Sequence, residues 1–528
     1  MTFSPEDSLA LLAILATVAL LLVAAERTSI PYPILLVVGG LGLGFIPGIP
    51  EFQLPPDLVL VAVLPPLLYG AAFFTSLRDL RENAFAITLL AIGLVLCTMV
   101  IVAVVAHELI PGLGWGSAFV LGAVVSPTDP TAATAIAERL GLPRRLVALI
   151  EGESLVNDGT ALVAYKFAVV AVVSGTFSFG EAAGSFAFNV VGGIGVGLVV
   201  GFLVRQLRRR VKDPALAITL SLASGYFAYL PALALDVSGV LAAVTIGVYM
   251  GWYTPELTTW QTRLQGLAVW EITFFVLNAL LFVLIGLQLP VIIDALSGYS
   301  PARLVGWAAV VAVAVVAARF LWVIPGTYIT AWARRKKRQI QNPGRASIIL
   351  GWAGMRGAVS LAAALALPLT TDAGGAFPNR DLIIFLTFGV ILASLVVQGL
   401  SFPALLKLVG LEDEGRVEKE ENKARIYATE AALARLEELA DEAWVRDDTL
   451  ERIRGMFNFR RQRFRSRFDP ESDGEIESRS LDYQRLLREL LVAEREAVFD
   501  LRRERRIDDL VMRRVIRDLD LEEARLDG

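Results

Sequence analysis

Long runs of apolar residues, separated by short polar segments, fill the first 410 positions of the chain. A membrane-spanning helix needs about 20 mainly apolar residues, and the pattern predicts about thirteen such spans. They lie near 8–25, 30–47, 57–76, 83–106, 115–138, 145–173, 183–205, 214–231, 233–252, 265–290, 302–333, 345–369 and 381–407. The weakest division, between the eighth and ninth spans, falls at Leu230-Pro231. The predicted fold class is therefore an all-α polytopic membrane protein.

The pattern changes after residue 410. Residues 411–528 contain 57 of the chain's 102 charged residues, and so dense a charge is incompatible with a membrane span. This division predicts a transmembrane domain over 1–410 and a charged helical C-terminal domain over 411–528. Helical patterns in the second domain extend to Trp444 and over 481–521, with a break at 470–474. This domain is either a hairpin that caps the membrane domain or a regulatory or dimerising domain.

The basic residues of the loops predict the orientation, because cytoplasmic loops are enriched in Lys and Arg. Loops after the odd-numbered spans, with their flanks, carry 18 Lys and Arg residues, whereas loops after the even-numbered spans carry 2. We therefore expect the N-terminus outside and the C-terminal domain in the cytoplasm. The first span lacks the basic flank of a secretory signal, so we expect it to be retained in the inner membrane.

Thirteen spans fit two inverted repeats of six around one linking helix, which makes spans 5 and 12 equivalent. Transporters built this way have broken helices near the membrane midplane. Span 5 contains the run Ser126–Pro130 (SPTDP), whose prolines remove helical N–H donors and are predicted to free the carbonyls of Ala123 and Ser126. Span 12 contains the run Gly351–Gly357 (GWAGMRG). The alternative is a proline kink with close helix packing.

Ionisable side chains inside a span are costly and need partners. Arg319 and Arg356 lie deep in spans 11 and 12, and the acids that could pair with them are concentrated in span 6. Glu153 and Asp158 are five residues apart, so on a helix they point roughly 140° apart. We predict that Glu153 holds an arginine while Asp158 faces an ion path. The sequence leaves open whether Arg319 or Arg356 is the partner.

The residues around Asp158 offer only oxygen atoms, which hard cations prefer. Ser154 shares a helix face with Asp158, and Thr128 and Asp129 lie in the broken part of span 5. Burial favours the neutral form of a carboxyl group, so H⁺ and Na⁺ would compete for Asp158. A site that carries either ion, exposed to each side in turn, couples the two fluxes. We therefore predict Na⁺/H⁺ exchange, with Li⁺ or K⁺ as alternative cations, and no cofactor.

Several runs are similar to one known family. The runs Ser126–Pro130, Glu151–Asp158 and Gly354–Ser360 resemble the bacterial sodium–proton antiporters of the monovalent cation–proton antiporter-1 family, which are relatives of the sodium–hydrogen exchangers. Trp270-Glu271 and Asn278–Leu289 resemble its tenth span. The resemblance covers nearly all of the first domain, and its motifs are long and specific.

The resemblance implies the sodium–proton antiporter fold, with a core domain that moves against a dimerisation domain, and a homodimer that serves sodium transport and pH homeostasis. It places the family's ion-binding and ion-pair residues on Asp158, Asn157, Thr128, Asp129, Ser154 and, for the acid of the arginine pair, Glu153. An Asn-Asp pair, where electrogenic relatives have Asp-Asp, implies electroneutral exchange.

The sequence departs from the family in the third span. After Leu64–Tyr69, many members have a carboxylate that reaches toward the ion path, and here that place is matched by Gly70, followed by Ala71. The departure leaves ion affinity, pH dependence and the preference for Na⁺ over K⁺ open.

Other classes of function also use charges inside a membrane. A cation channel would need midplane carboxylates too, but channels commonly build their filters from rings of subunits. A K⁺-selective proton-coupled transporter is a further alternative. An intramembrane enzyme would need a nucleophile with a base or a metal motif such as His-Glu-x-x-His, which the chain lacks. We therefore predict a transporter and not an enzyme, and a net charge of −4 gives no reason to expect nucleic-acid binding.

Overall fold

The computed structural model describes residues 32–46, 58–130, 141–175, 179–294, 296–333, 342–410, 416–466 and 475–524, with isolated positions within 16–27 and 133–137 and at 526. Within these ranges every regular element is a helix, apart from one isolated bridge between Thr370 and Ala376. The all-α prediction is therefore confirmed. The contacts divide the chain into two compact units, Met1–Glu412 and Asp413–Gly528.

The helices of the first unit are numbered here in chain order. They are α1 (Tyr32–Gly44), α2 (Leu64–Phe74, after a π-helical turn at Leu58–Val63), α3 (Leu77–Leu109), α4 (Trp115–Val124), α5 (Arg144–Ser174), α6 (Phe179–Arg208), α7 (Pro214–Ala234), α8 (Gly239–Leu257), α9 (Trp260–Leu287), α10 (Leu289–Asp294), α11 (Pro301–Ala333), α12 (Pro343–Trp352), α13 (Ala358–Leu365) and α14 (Arg380–Val409).

Seven helices in the described part of the chain are long and apolar enough to cross a membrane, namely α3, α5, α6, α7, α9, α11 and α14. Shorter apolar helices occur at α1, α2 and α4. The predicted first span, 8–25, lies almost wholly outside the described residues, so the number of thirteen spans stays a prediction. The predicted fifth and twelfth spans are each interrupted by non-helical backbone.

The predicted division at Leu230-Pro231 is wrong by a few residues. Helix α7 continues past Pro231 to Ala234, because a proline removes only one backbone donor and is tolerated where the helix is about to end. The chain turns instead at 235–238, where Asp236 has a φ of 54°. Helix α8 then begins under the side chain of Ser238, which accepts a hydrogen bond from the amide of Leu241.

The helices of the first unit pack in two groups. In the first, which we call the lateral group, α8 packs against α2, α6 and α7, and α9 packs against α1 and α7. In the second, which we call the core group, α3 packs against α4 and α11, α11 against α12 and α14, and α5 against α4. Both interrupted segments belong to the core group.

The second unit consists of α15 (Arg416–Glu438), α16 (Asp447–Ser466), α17 (Glu475–Arg503) and α18 (Asp509–Ala524) among the described residues. Exposed ion pairs join neighbouring helices, such as Arg454–Glu437 at 2.8 Å and Arg495–Asp520 at 2.8 Å. The helix predicted to extend to Trp444 ends earlier, at Glu438, and the pattern predicted over 481–521 is divided by a turn between Arg503 and Asp509. The predicted break at 470–474 lies outside the described residues.

Candidate functional site

The first interrupted segment follows α4. Pro127 and Pro130 prevent the helix from continuing, and residues 126–130 have no regular structure. The carbonyl of Ala123, predicted to lose its partner, accepts the amide of Ser126 at 3.3 Å, so that part of the prediction is wrong. A turn that tightens to an i, i+3 bond satisfies this carbonyl at the helix end.

Thr128 joins this segment to α5 through three contacts. Its carbonyl accepts a hydrogen bond from Ser154 Oγ at 2.6 Å. Its hydroxyl accepts one from Asn157 Nδ2 at 2.6 Å and donates one to Glu153 Oε1 at 3.3 Å. Three polar side chains from adjacent turns of α5 therefore hold the unwound backbone in place, which is how an irregular segment survives in a membrane protein.

Glu153 forms a buried ion pair with Arg319 of α11. The guanidinium donates from Nη1 to Oε1 at 2.5 Å and from Nη2 to Oε2 at 2.9 Å, and both side chains are 1% exposed. The third nitrogen, Nε, donates to the carbonyl of Leu350 at 2.9 Å. A Cβ on Gly354 would collide with this guanidinium. The geometry thus distinguishes the two arginines that the sequence left open, because Arg319 binds Glu153.

Arg356, the other candidate, bonds to backbone carbonyls instead. Its Nε donates to the carbonyl of Val125 at 3.0 Å, and its Nη1 donates to the carbonyl of Gly354. Its own amide donates to Ser394 Oγ at 3.0 Å. The predicted place of Arg356 in an ion pair with Glu153 is not seen in these contacts. Its guanidinium instead links the second interrupted segment to the first.

Asp129 and Asp158 are the two carboxylates next to the interrupted segments. The amide of Asp129 donates to the carbonyl of Met355 at 2.8 Å, and a Cβ on Gly357 would collide with the Asp129 carboxylate. Asp158 lies on α5, is 6% exposed, and its Oδ1 has no hydrogen-bond partner. A buried carboxylate oxygen without a partner is rare and marks a place where an ion or a proton can be bound.

Both carboxylates line a cavity of about 540 Å³ between the lateral and core groups. Its polar lining residues are Tyr32, Thr75, Thr128, Asp129, Thr134, Glu151, Ser154, Asp158, Glu271, Asn278 and Ser360. The predicted ligands Asp158, Asp129, Ser154 and Thr128 are therefore brought together. The prediction assigned no role to Ser360, although it ends one of the recognised runs, because periodicity contains no signal for a cavity wall.

The two residues matched to the third-span departure, Gly70 and Ala71, have different surroundings in the structure. Ala71 of α2 lines the cavity, whereas a Cβ on Gly70 would collide with Trp270 and Phe274 of α9. A shift of one residue turns a helical side chain by about 100°. Of the two, Ala71 therefore faces the cavity, and Gly70 allows close packing of α2 against α9.

Comparisons with known proteins agree with this architecture. Residues 12–408 match the family described as "Sodium/hydrogen exchanger, transmembrane". The uncharacterized Na⁺/H⁺ exchanger of Mycobacterium tuberculosis is 37% identical over 522 residues, 98% of this chain and 95% of the relative. The sodium, potassium, lithium and rubidium/H⁺ antiporter of Bacillus subtilis is 35% identical over 387 residues, 71% of this chain and 58% of the relative.

A solved structure shares the fold. The sodium proton antiporter MjNhaP1 from Methanocaldococcus jannaschii matches 77% of this chain and 100% of its own, with a TM-score of 0.60 and 19% sequence identity. The family match covers most of the chain, and the M. tuberculosis relative matches nearly its whole length. The chain therefore belongs to the sodium/hydrogen exchanger family of membrane transporters.

Proposed function

We propose that the chain exchanges Na⁺ for H⁺ across the cytoplasmic membrane by alternating access, with both ions competing for Asp158. The observation that carries this proposal is the Asp158 carboxylate itself. It is buried, it lines the cavity, and one of its oxygens has no hydrogen-bond partner. Such an oxygen can be satisfied by a bound cation or by protonation of the carboxyl group, and the two are mutually exclusive.

The surrounding hydrogen bonds support the roles of the other ligands. Ser154 donates its proton to the carbonyl of Thr128, which leaves its lone pairs available to a cation. We assign Na⁺ ligation to Asp158, Asp129, Ser154 and Thr128. Asn157, which donates to the Thr128 hydroxyl, is a positioning residue. It is neutral, so only one of the two adjacent positions carries a titratable group, which favours electroneutral one-for-one exchange.

The Glu153–Arg319 pair has a structural role in this proposal. Its charges are matched within the core group and both are buried, so moving them across a membrane with the core group transfers no net charge. The core group would move as one body against the lateral group, and homodimers would form through the lateral group. The K⁺, Li⁺ and Rb⁺ in the name of the B. subtilis relative make these the next cations to test.

The cavity supports an inward-open state. Tyr32 begins α1, Thr75 follows the end of α2, and Glu151 lies in the second turn of α5, and all three line the cavity. The proposed orientation, with the N-terminus outside and the C-terminal domain inside, rests on the bias of basic loop residues and would have these three helix ends on the cytoplasmic side. In this proposal the cavity opens toward the cytoplasm.

The test uses everted vesicles in which respiration establishes a pH gradient that is followed with an acridine dye. Na⁺ should dissipate the gradient in wild type and not in Asp158→Asn, because the asparagine amide cannot take up and release a proton at physiological pH. The matched control is Asp236→Asn, because Asp236 is exposed and asparagine tolerates its positive φ. The control should retain the wild-type response.

Two results would contradict the proposal. Wild-type protein that is correctly inserted and unresponsive to every monovalent cation from pH 6.5 to 8.5 would remove exchange as the function. A current that flows without a coupled proton flux would indicate the cation channel. Retained exchange in Asp158→Asn would instead preserve the function and reject the site.

A further inference from the structure

Ser360 is a buried hydroxyl with an unusual position in the core group. It is 1% exposed, its Oγ has no hydrogen-bond partner, and it lines the same cavity as Asp158. A buried hydroxyl without a partner destabilises the protein, so native structures rarely keep one without a reason.

The helix start explains why Ser360 has no partner. Serine and threonine inside a helix usually donate to the carbonyl four residues back, as Ser347 does to Pro343 at 2.6 Å in α12. Helix α13 begins at Ala358, so the residue four before Ser360 is Arg356, which lies outside the helix. The interruption of the span therefore leaves the Ser360 hydroxyl without its usual acceptor.

The hydroxyls on the other wall of the cavity are already engaged. Ser154 donates to the carbonyl of Thr128, and the Thr128 hydroxyl both accepts from Asn157 and donates to Glu153. These ligands all come from α5 and the first interrupted segment. Ser360 is placed on the second segment, on the same cavity as the unpartnered Asp158 oxygen.

We infer that Ser360 Oγ is a further ligand for the transported cation and completes its oxygen shell from the second interrupted segment. A hard cation such as Na⁺ gains from each oxygen that replaces a water molecule, and the hydroxyl has two free lone pairs. The inference rests on the proposed exchange at Asp158. Ser360 would contribute to the affinity for the cation and would take no part in the proton transfer.

The test compares Ser360→Ala and Ser360→Cys with wild type in the vesicle assay, at a series of Na⁺ concentrations. Both variants lack the oxygen, and a thiol is a poor ligand for a hard cation. We expect the apparent KM for Na⁺ to rise about tenfold, the change that ~1.4 kcal/mol produces, with the maximal rate at saturating Na⁺ preserved. The matched control is Ser347→Ala, which removes an equally buried hydroxyl from the other half of the same span.

An unchanged KM in Ser360→Ala overturns the inference while wild-type exchange still stands. An equal rise in Ser347→Ala also overturns it, because the effect would then be general loosening of the broken helix. If Ser360→Ala is not recovered from the membrane, Ser360→Cys decides, since its sulfur fills the space of the serine oxygen. Loss of Na⁺ response in wild type would instead reject the proposed function itself.

Discussion

The two interrupted segments of the core group break in different ways and are held in different ways. The segment 126–130 contains two prolines and carries the side chains of Thr128 and Asp129. The segment 353–357 contains two glycines and carries an arginine. Two hydrogen bonds connect them. The amide of Asp129 donates to the carbonyl of Met355 at 2.8 Å, and Arg356 Nε donates to the carbonyl of Val125 at 3.0 Å.

The difference lies in what stabilises each segment. The first is held by three side chains of α5, and each of them forms a hydrogen bond with Thr128. The second is held by the hydrogen bonds of the Arg356 guanidinium, by the Ser394 hydroxyl that accepts the Arg356 amide, and by close packing at two glycines. A Cβ on Gly354 would collide with Arg319, and one on Gly357 with Asp129. We therefore expect the first segment to respond most to the loss of the buried charge behind it. The second should respond to added volume and to the loss of its hydrogen bond to Ser394.

The largest effect on stability is expected at the ion pair behind the first segment. Glu153→Gln leaves the Arg319 guanidinium buried without a counter-charge, and removing one partner of a buried pair costs about 3–5 kcal/mol. The measurement is thermal unfolding of the detergent-purified protein. Arg319→Gln should be equally destabilised.

The control for this prediction is an exposed pair in the second unit. Arg454 and Glu437 are 2.8 Å apart and 36% and 56% exposed, so Glu437→Gln should cost about 1 kcal/mol or less. Equal losses for Glu153→Gln and Glu437→Gln would mean that burial does not distinguish the two pairs. The double variant Glu153→Gln/Arg319→Gln should recover part of the lost stability, since no unpaired charge remains.

These side chains also mark how far sequence reasoning reaches. Helical periodicity alone separates the directions of Glu153 and Asp158, and in the structure Glu153 contacts Arg319 while Asp158 lines the cavity. Periodicity cannot select Arg319 over Arg356, because Arg319 is 166 residues from Glu153. That choice depends on how α11 packs against α12, where the carbonyl of Leu350 accepts a hydrogen bond from Arg319 Nε.

One error of a few residues and one undetermined helix face have the same origin. Predicting a break at Pro231 uses only the local effect of proline, but α7 ends where Ser238 can cap the next helix. The match of the third-span departure to Gly70, followed by Ala71, does not tell which of the two faces the cavity, and in the structure Ala71 does. Element type follows from local pattern, whereas the face of an element depends on what packs against it.

The next prediction adds volume to the second segment. Gly357→Ala places a methyl group against the Asp129 carboxylate, and overpacking of this kind costs about 1–3 kcal/mol. The displaced group is the Asp129 carboxylate, which lines the cavity. We therefore expect Na⁺-dependent exchange to be largely lost while the unfolding temperature falls only moderately. The vesicle assay and thermal unfolding are measured on the same variant.

Gly306→Ala is the control for that substitution. A Cβ on Gly306 would meet nothing within 4 Å, so the change should leave both exchange and unfolding temperature close to wild type or raise the latter slightly, since alanine is the better helix former. Normal exchange in Gly357→Ala would show that the second segment tolerates volume, and the contrast between the two segments would fail.

The last comparison, with a stability loss no larger than that of Gly357→Ala, takes one serine from the support of each segment. Ser394 Oγ accepts the amide of Arg356 at 3.0 Å, so Ser394→Ala leaves a buried amide without an acceptor and should cost about 1–3 kcal/mol. Ser126 Oγ donates to the carbonyl of Gly122 at 2.6 Å. Ser126→Ala removes this hydroxyl donor and leaves no buried N–H without an acceptor. Its cost in unfolding free energy should therefore stay near ~1 kcal/mol.

Thermal unfolding of the two serine variants, measured side by side, tests whether the hydrogen bond from the Arg356 amide to Ser394 stabilises the second segment. Ser394→Ala should unfold at the lower temperature, and its exchange should weaken because Arg356 loses a fixed backbone next to the cavity. A lower unfolding temperature for Ser126→Ala would reverse the ranking. In that case the first segment would depend on its own serine as well as on α5, and Thr128 would no longer be the point at which its stability is concentrated.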